Sequence, residues 1–180
     1  MITALYLSND KALGSKLISW GTRPDGFTIR ETPSHVAFSF KLSDNSDEII
    51  IHSTLFGGVH ITTREEINLH YRLISEIEIP VTEEDTYRYL EKAKEKIVGK
   101  SYDVPAIGYF SYRVIIFKAF RVPFPTKNKF NFKNMYFCVE VYSIITGERY
   151  GIVAPVHLMI LMFKMNYKVI EGLTWKQLQN

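Results

Sequence analysis

Hydrophobic residues alternate with polar ones, or follow one another in short runs, along much of the first half of the chain. Such short segments are typical of β-strands. We predict strands over residues 2–8, 35–41, 48–54, 59–63 and 69–79, with a last strand over 166–172. A polar turn at 43–47 and the pair Gly57-Gly58 separate the middle strands. The four strands from residue 35 onward are therefore expected to form an antiparallel meander.

Helix start and stop signals dominate the second half. Thr82-Glu-Glu-Asp resembles a capping box, and acidic residues at its start with lysines toward Gly99 suit the helix dipole. Further helices are predicted over 105–120, 138–146 and 155–165, and a short one follows Asp10. This order of elements predicts an α+β class, a small antiparallel sheet with helices packed mainly on one face.

Composition places these elements in one globular domain, residues 1–180. The chain has 180 residues, of which 46% are hydrophobic, enough for a sizeable core. No apolar run reaches the length of a membrane span and no signal peptide is evident, so we expect a cytoplasmic or virion-associated protein. The single cysteine, Cys138, excludes an internal disulfide and a zinc site with two thiolates.

The net charge of +3 is concentrated in one segment. Residues 117–137 hold five basic residues, seven aromatic residues and no acidic residue. Such a segment can bind nucleic acid or an anionic membrane surface. A lysine-rich loop with inward-facing phenylalanines is the favoured interpretation, and nucleic-acid binding is not the expected function. Because the segment leads straight into Cys138, we expect Lys127, Lys129 and Lys133 to border the site of that residue.

Two histidines fall on the predicted hairpin of 35–41 and 48–54. An even-numbered connection places His35 opposite His52, and a shift of the register by one pair makes them diagonal neighbours on the same face. Only an odd-numbered connection separates them. Two imidazoles on one face indicate either a metal pair or a general base with the residue that orients it, and we favour the base with its orienter. His60, His70 and His157 show no partner pattern and are expected to have packing roles.

Cys138 lies where a helix is predicted to begin. The unpaired N–H groups and the positive end of the helix dipole stabilise a thiolate there, so we expect a lowered pKa and a reactive thiol. An inert, buried cysteine is the alternative, because the neighbouring residues Met-Tyr-Phe and Val are apolar.

Four short motifs, in this order, resemble a known family. They are Ser-His-Val-Ala-Phe at 34–38, Ile-Ile-Ile-His-Ser at 49–53 followed by Gly-Gly-Val, Gly-Lys-Ser-Tyr-Asp at 99–103, and Tyr-Phe-Cys-Val-Glu-Val at 136–141. Together they are similar to the circularly permuted branch of the NlpC-type papain-like hydrolases, which includes YiiX-type amidases and lecithin retinol acyltransferase-like enzymes. In that branch, as here, the histidine precedes the cysteine.

The resemblance implies a permuted papain-like fold and a role for each matching residue. Cys138 matches the nucleophile, His35 the general base, His52 the third polar residue, and Tyr102 a tyrosine that lines the substrate and oxyanion site. Val139 departs from the family, whose members commonly have Ser after the nucleophile.

The resemblance further implies a hydrolase of amide or ester bonds without a metal or organic cofactor. Its substrates are expected to be peptides, peptidoglycan-like stem peptides or lipid-linked acyl groups. A phage origin is compatible with the lack of an export signal. The alternative is a non-catalytic binding protein or virion structural protein on the same scaffold.

Overall fold

The structure is a computed structural model that describes residues 1–43, 46–120, 138–147 and 154–174. In chain order the strands and helices are β1 (Ile2–Ser8), α1 (Leu13–Thr22), β2 (His35–Phe40), β3 (Ile49–Thr54), β4 (Gly58–Thr62), α2 (Arg64–His70), β5 (Arg72–Ile79), α3 (Glu83–Lys96), α4 (Val104–Phe120), α5 (Cys138–Thr146), α6 (Pro155–Lys164) and β6 (Val169–Gly172).

The described strands form one antiparallel sheet in the order β4-β3-β2-β1-β5-β6. The α+β class is confirmed. The predicted meander is wrong in its last strand, because β5 pairs with β1 on the far side of the sheet. Residues 64–70, partly assigned to that strand, form α2 instead: the Thr63 side chain accepts the Glu66 N–H and so caps a helix that turns the chain away from β4.

Both faces of the sheet are buried. We call them the α5 face and the α2 face, after a helix that packs on each. On the α5 face, Val36, Phe38 and Phe40 of β2 pack in one large cluster with Val139 and Tyr142 of α5. On the α2 face, a smaller cluster holds Leu5, Leu7, Ala37, Ile50 and Ile67. Helices α3 and α6 contribute to the same large cluster as α5, whereas α2 contributes Ile67 to the smaller cluster on the opposite face.

Helix α5 lies on strands β2 and β3. The backbone N–H of Val36 interacts with the Cys138 thiol, and the rings of Phe38 and Tyr142 are 5.9 Å apart. Four residues of helix and two residues of strand both advance about 6 Å, so these two contacts show that α5 runs along β2 in the same direction. The N-terminus of α5 is thereby placed at the start of β2.

A close backbone contact fixes the segment that carries Tyr102. The Val59 N–H donates to the Lys100 carbonyl (2.8 Å), and the Gly99 N–H donates to the Val59 carbonyl (2.7 Å). Gly58 has φ +62°, and a Cβ there would lie 2.2 Å from the Lys100 oxygen. Only glycine combines that φ with that contact, so Gly58 allows residues 99–102 to close over the edge of β4.

Arg64 at the start of α2 ties that helix to the sheet. Its Nε donates to Glu48 (2.9 Å) and its Nη1 to Glu76 of β5 (3.0 Å). Both carboxylates accept from a single planar guanidinium, which gives this ion pair a fixed geometry. The orientation of α2, and of Tyr71 directly after it, is held by these bonds.

Within the described parts of the chain, no helix combines the length and the apolar composition that a membrane crossing requires. Most of the basic and aromatic segment 117–137 lies outside the described residues. Lys127, Lys129 and Lys133, which are predicted to border the site, belong to that part.

Candidate functional site

His35 and His52 form a hydrogen-bonded pair at one end of the sheet. The register of β2 with β3, which pairs Phe38 with Ile51, makes them diagonal neighbours on the α2 face. Nε2 of His35 lies 3.1 Å from Nδ1 of His52, and the ring centroids are 5.3 Å apart in an edge-on arrangement. The predicted placement on adjacent strands with one shared face is confirmed. Their catalytic roles stay a prediction.

A third imidazole extends this pair. His60 of β4 stands directly opposite His52 of β3, and their Nε2 atoms are 2.9 Å apart. Nδ1 of His60 lies 3.2 Å from the Gly58 carbonyl oxygen. We call His35, His52 and His60 the histidine row. The packing role expected for His60 is therefore wrong, and the tight turn around Gly57-Gly58 is the signal in the sequence that pairs it with His52.

Tyr71 is the second residue that the sequence interpretation missed. Its ring stacks on His35 with centroids 5.1 Å apart and an angle of 21° between the planes. Burial raises the pKa of the Tyr71 phenol, and a thiolate at Cys138 raises it further. Tyr71 therefore interacts with both the histidine row and the cysteine. The sequence predicts Tyr71 inside a strand, whereas it is the C-cap of α2.

Cys138 is the first residue of α5, as predicted, and is 4% exposed. The backbone N–H groups of Val36, Val139 and Cys138 itself all favour its thiolate. The thiol thus lies against the backbone of the residue that follows His35. Two features connect Cys138 with His35. One is the backbone of Val36, and the other is Tyr71, which stacks on His35 and whose phenol is affected by charge on the thiol.

The protonation state of Cys138 differs from the expectation. Burial outweighs the three N–H groups and raises the pKa of the thiol to about 11. The predicted lowering of its pKa is therefore wrong. A helix N-terminus stabilises a thiolate by a few favourable dipoles, but removing the charged sulfur from water costs more at this depth.

The pKa values of His35 and His52, in contrast to that of Cys138, are lowered. Burial, followed by the proximity of His52 and His60, holds the pKa of His35 well below its ordinary value of 6.5. Burial and His60 lower the pKa of His52 to about 4. At neutral pH the thiol of Cys138 and the imidazoles of His35 and His52 are therefore all neutral, without a preformed thiolate–imidazolium pair.

Tyr102 lies close enough to Cys138 for charge on the thiol to affect its phenol. The pKa of Tyr102 is raised well above 10, first by burial and then by a thiolate at Cys138. The phenol remains protonated and can donate a hydrogen bond. The structure thus brings Tyr102 and Tyr71 near Cys138. The histidine row adjoins this group through the ring of Tyr71, which stacks on His35. His52 does not face the thiol, because His35 and His60 occupy its two ring nitrogens.

A cavity of about 180 Å³ opens beside the histidine row and is lined by His52, His60, Tyr71, His70 and Glu66, among others. Among the described residues, no group of three or more His, Cys, Asp or Glu side chains is arranged to hold a metal ion. In the histidine row the ring nitrogens point at one another instead of at a common centre. The arrangement suits proton transfer better than metal binding.

Comparison with known proteins assigns no family to this geometry. No protein-family model, curated protein or solved structure matches the chain.

Proposed function

We propose that the protein is a thiol-dependent hydrolase of amide or ester bonds, with Cys138 as nucleophile, His35 as general base and His52 as its orienter, on a circularly permuted papain-like fold. One observation carries the proposal. The only cysteine of the chain begins a helix and contacts the backbone beside His35, and the ring of His35 is hydrogen-bonded to a second imidazole.

The chemistry is acyl transfer in two steps. His35 takes the thiol proton of Cys138 while the sulfur attacks the substrate carbonyl, and the tetrahedral intermediate collapses to a thioester as His35 protonates the departing amine or alcohol. Water, deprotonated by His35, then attacks the thioester. This step releases the carboxylic acid and restores the thiol and the neutral imidazole.

Donors for the oxyanion are close to the sulfur. The N–H groups of Cys138 and Val139, together with that of Val36, surround the thiol and are held by a helix and a strand. Such fixed dipoles stabilise negative charge that develops on the carbonyl oxygen. The protonated Tyr102 phenol is a further donor on the same side.

The neutral resting state constrains the mechanism. The pKa of the thiol lies several units above that of His35, and each unit opposes a preformed ion pair by about 1.4 kcal/mol. Proton removal therefore takes place together with attack on the carbonyl. Substrates with a reactive carbonyl are expected to be cleaved fastest. The biological candidates are peptide-type amides, peptidoglycan-like stem peptides and lipid-linked acyl groups, and among them acyl esters have a more reactive carbonyl than amides.

A hydrolysis screen tests the proposal. The wild-type protein is incubated with a panel of peptide amides and of short- and long-chain acyl esters, and Cys138→Ala and His35→Ala are the matched controls. We expect turnover by the wild type and none above the buffer rate by either variant. Turnover that persists in Cys138→Ala excludes the proposed nucleophile.

A second candidate function is supported by the burial of Cys138. A thiol that is 4% exposed with a pKa of about 11 also suits an inert core residue in a non-catalytic binding or virion structural protein. This candidate predicts that no substrate in the screen is turned over and that Cys138→Ala, which truncates a core side chain, is less stable than the wild type.

A further inference from the structure

The Gly58 carbonyl fixes the proton of His60. A carbonyl oxygen only accepts hydrogen bonds, so Nδ1 of His60, 3.2 Å away, must carry the hydrogen. A neutral imidazole has one protonated nitrogen. Nε2 of a neutral His60 is therefore left with its lone pair and acts as an acceptor.

The same rule, one protonated nitrogen per neutral imidazole, fixes the hydrogens of His52 and His35 in turn. With Nε2 of His60 as acceptor, the hydrogen of the 2.9 Å contact belongs to Nε2 of His52. Nδ1 of His52 is then unprotonated and accepts the 3.1 Å bond from Nε2–H of His35. His35 is left with a free lone pair on Nδ1, the nitrogen that the histidine row does not occupy.

We propose that His60 is a positioning residue, which sets the tautomers of His52 and His35 so that Nδ1 of His35 is unprotonated and available to take the Cys138 proton. The role of that lone pair rests on the proposed hydrolase function, whereas the tautomers themselves do not. His60 thus fixes, through two hydrogen bonds, a tautomer that an orienting carboxylate fixes through one, without the negative charge of the carboxylate.

Neighbouring residues hold the two ends of the histidine row in place. A Cβ at Gly57 would lie 2.9 Å from Cε1 of His60, so glycine at this position leaves room for the ring beside the Gly58 carbonyl. At the other end, Tyr71 stacks on His35 and limits rotation of its ring. The hydrogen bonds therefore join rings of fixed orientation.

Replacing the acceptor at position 60 by a donor should reverse the direction of the hydrogen bonds along the histidine row. A side chain that only donates would require an acceptor at Nε2 of His52, whose Nδ1–H would then donate to Nε2 of His35 and place the His35 hydrogen on Nδ1. His60→Lys is such a variant. His60→Gln offers an amide oxygen near the position of Nε2 and can maintain the original direction, while His60→Leu removes the acceptor without adding a donor.

Kinetics of these three variants form the first part of the test. We expect kcat to fall about 10- to 100-fold in His60→Leu with little change in KM, less in His60→Gln, and most in His60→Lys. His157→Leu on α6 is the matched control, and circular dichroism melting checks that each variant folds. Equal kcat values for the Gln, Leu and Lys variants, all folded, would overturn the proposal.

The second part needs no activity. Long-range ¹H–¹⁵N NMR of Cys138→Ala distinguishes protonated from unprotonated imidazole nitrogens. We expect His35 to carry its hydrogen on Nε2, and to carry it on Nδ1 when His60→Lys is added. A hydrogen on Nδ1 of His35 with His60 intact would overturn the proposal. The expected NMR result in a protein without hydrolase activity would instead reject the proposed function and leave the tautomer assignment standing.

Discussion

His52 and His60 face each other directly across the β3–β4 hairpin, with their Nε2 atoms 2.9 Å apart. This contact makes His52 the central residue of the histidine row, with a hydrogen bond at each of its ring nitrogens. A residue in that position orients its neighbour but cannot reach the thiol itself.

Removal of His35 and removal of His52 should have different effects on turnover. His35→Ala deletes the group that accepts the proton and should abolish turnover, whereas His52→Ala deletes an orienter and should leave measurable residual activity. Steady-state kcat and KM of both variants, with His157→Ala as control, measure the difference. Complete loss in both variants to the same degree would show that the roles are assigned incorrectly.

Gly58→Ala should destabilise the fold. The added Cβ meets the Lys100 carbonyl and the residue keeps a positive φ, which together cost about 1–3 kcal/mol. The free energy of unfolding in urea measures this cost. Gly14→Ala in α1 is the matched control, because its Cβ meets no atom within 4 Å, and it should stabilise the protein by about 0.5–1 kcal/mol. Equal stability of Gly58→Ala and wild type would disprove the close contact.

Stability should fall on the acid side of neutrality because of the histidine row. Below pH 6.5 the unfolded chain binds a proton at His52 that the folded protein does not bind until about pH 4, so stability present above pH 6.5 is lost through this window. One pKa unit corresponds to about 1.4 kcal/mol, so His52 contributes a loss of up to about 3 kcal/mol. His35 acts in the same direction.

Urea denaturation of wild type and His52→Gln across this pH range checks the effect. The variant should show a flatter dependence of the free energy of unfolding on pH. On the alkaline side, the pKa of Cys138 near 11 predicts a separate loss between about pH 9 and 11, which Cys138→Ala should remove. Parallel curves for all three proteins would mean that these groups titrate alike in the folded and unfolded states.

Alkylation of Cys138 should be slow in the folded protein near neutral pH. Burial raises the pKa of the thiol to about 11, so the thiolate that reacts with iodoacetamide is scarce at pH 7. The rate should increase as the pH approaches 11 and should depend little on His35→Ala, because no ion pair is present to remove. The protein unfolded in denaturant, with an ordinary thiol, is the control. Rapid labelling of the folded protein at pH 6 would contradict a neutral resting site.

The local parts of the fold could be predicted from the sequence. The cap at Thr82, the proline at the start of α6 and the cysteine at the start of α5 act within a few residues, and their elements begin where predicted. The shared face of His35 and His52 depends only on an even-numbered connection, and residues 41–48 provide one. The resemblance to permuted papain-like hydrolases, by contrast, remains a hypothesis.

Long-range features could not be predicted in the same way. Alternation along 72–79 indicates a strand but does not identify its partner, and β5 pairs with the distant β1. The pKa of Cys138 depends on its burial between α5 and β2, which no local motif encodes. No motif around His60 indicates a partner for it, although the short turn before it determines that it meets His52.

The most direct test of the hydrolase account is the mass of the acyl-enzyme. An activated acyl ester is mixed with the protein, the reaction is quenched in acid within its first turnover, and the intact protein and its peptides are analysed by mass spectrometry. We expect one acyl group, on Cys138, which is absent from Cys138→Ala and strongly reduced in His35→Ala. An unmodified protein, an acyl group on another residue, or equal acylation of wild type and His35→Ala would contradict it.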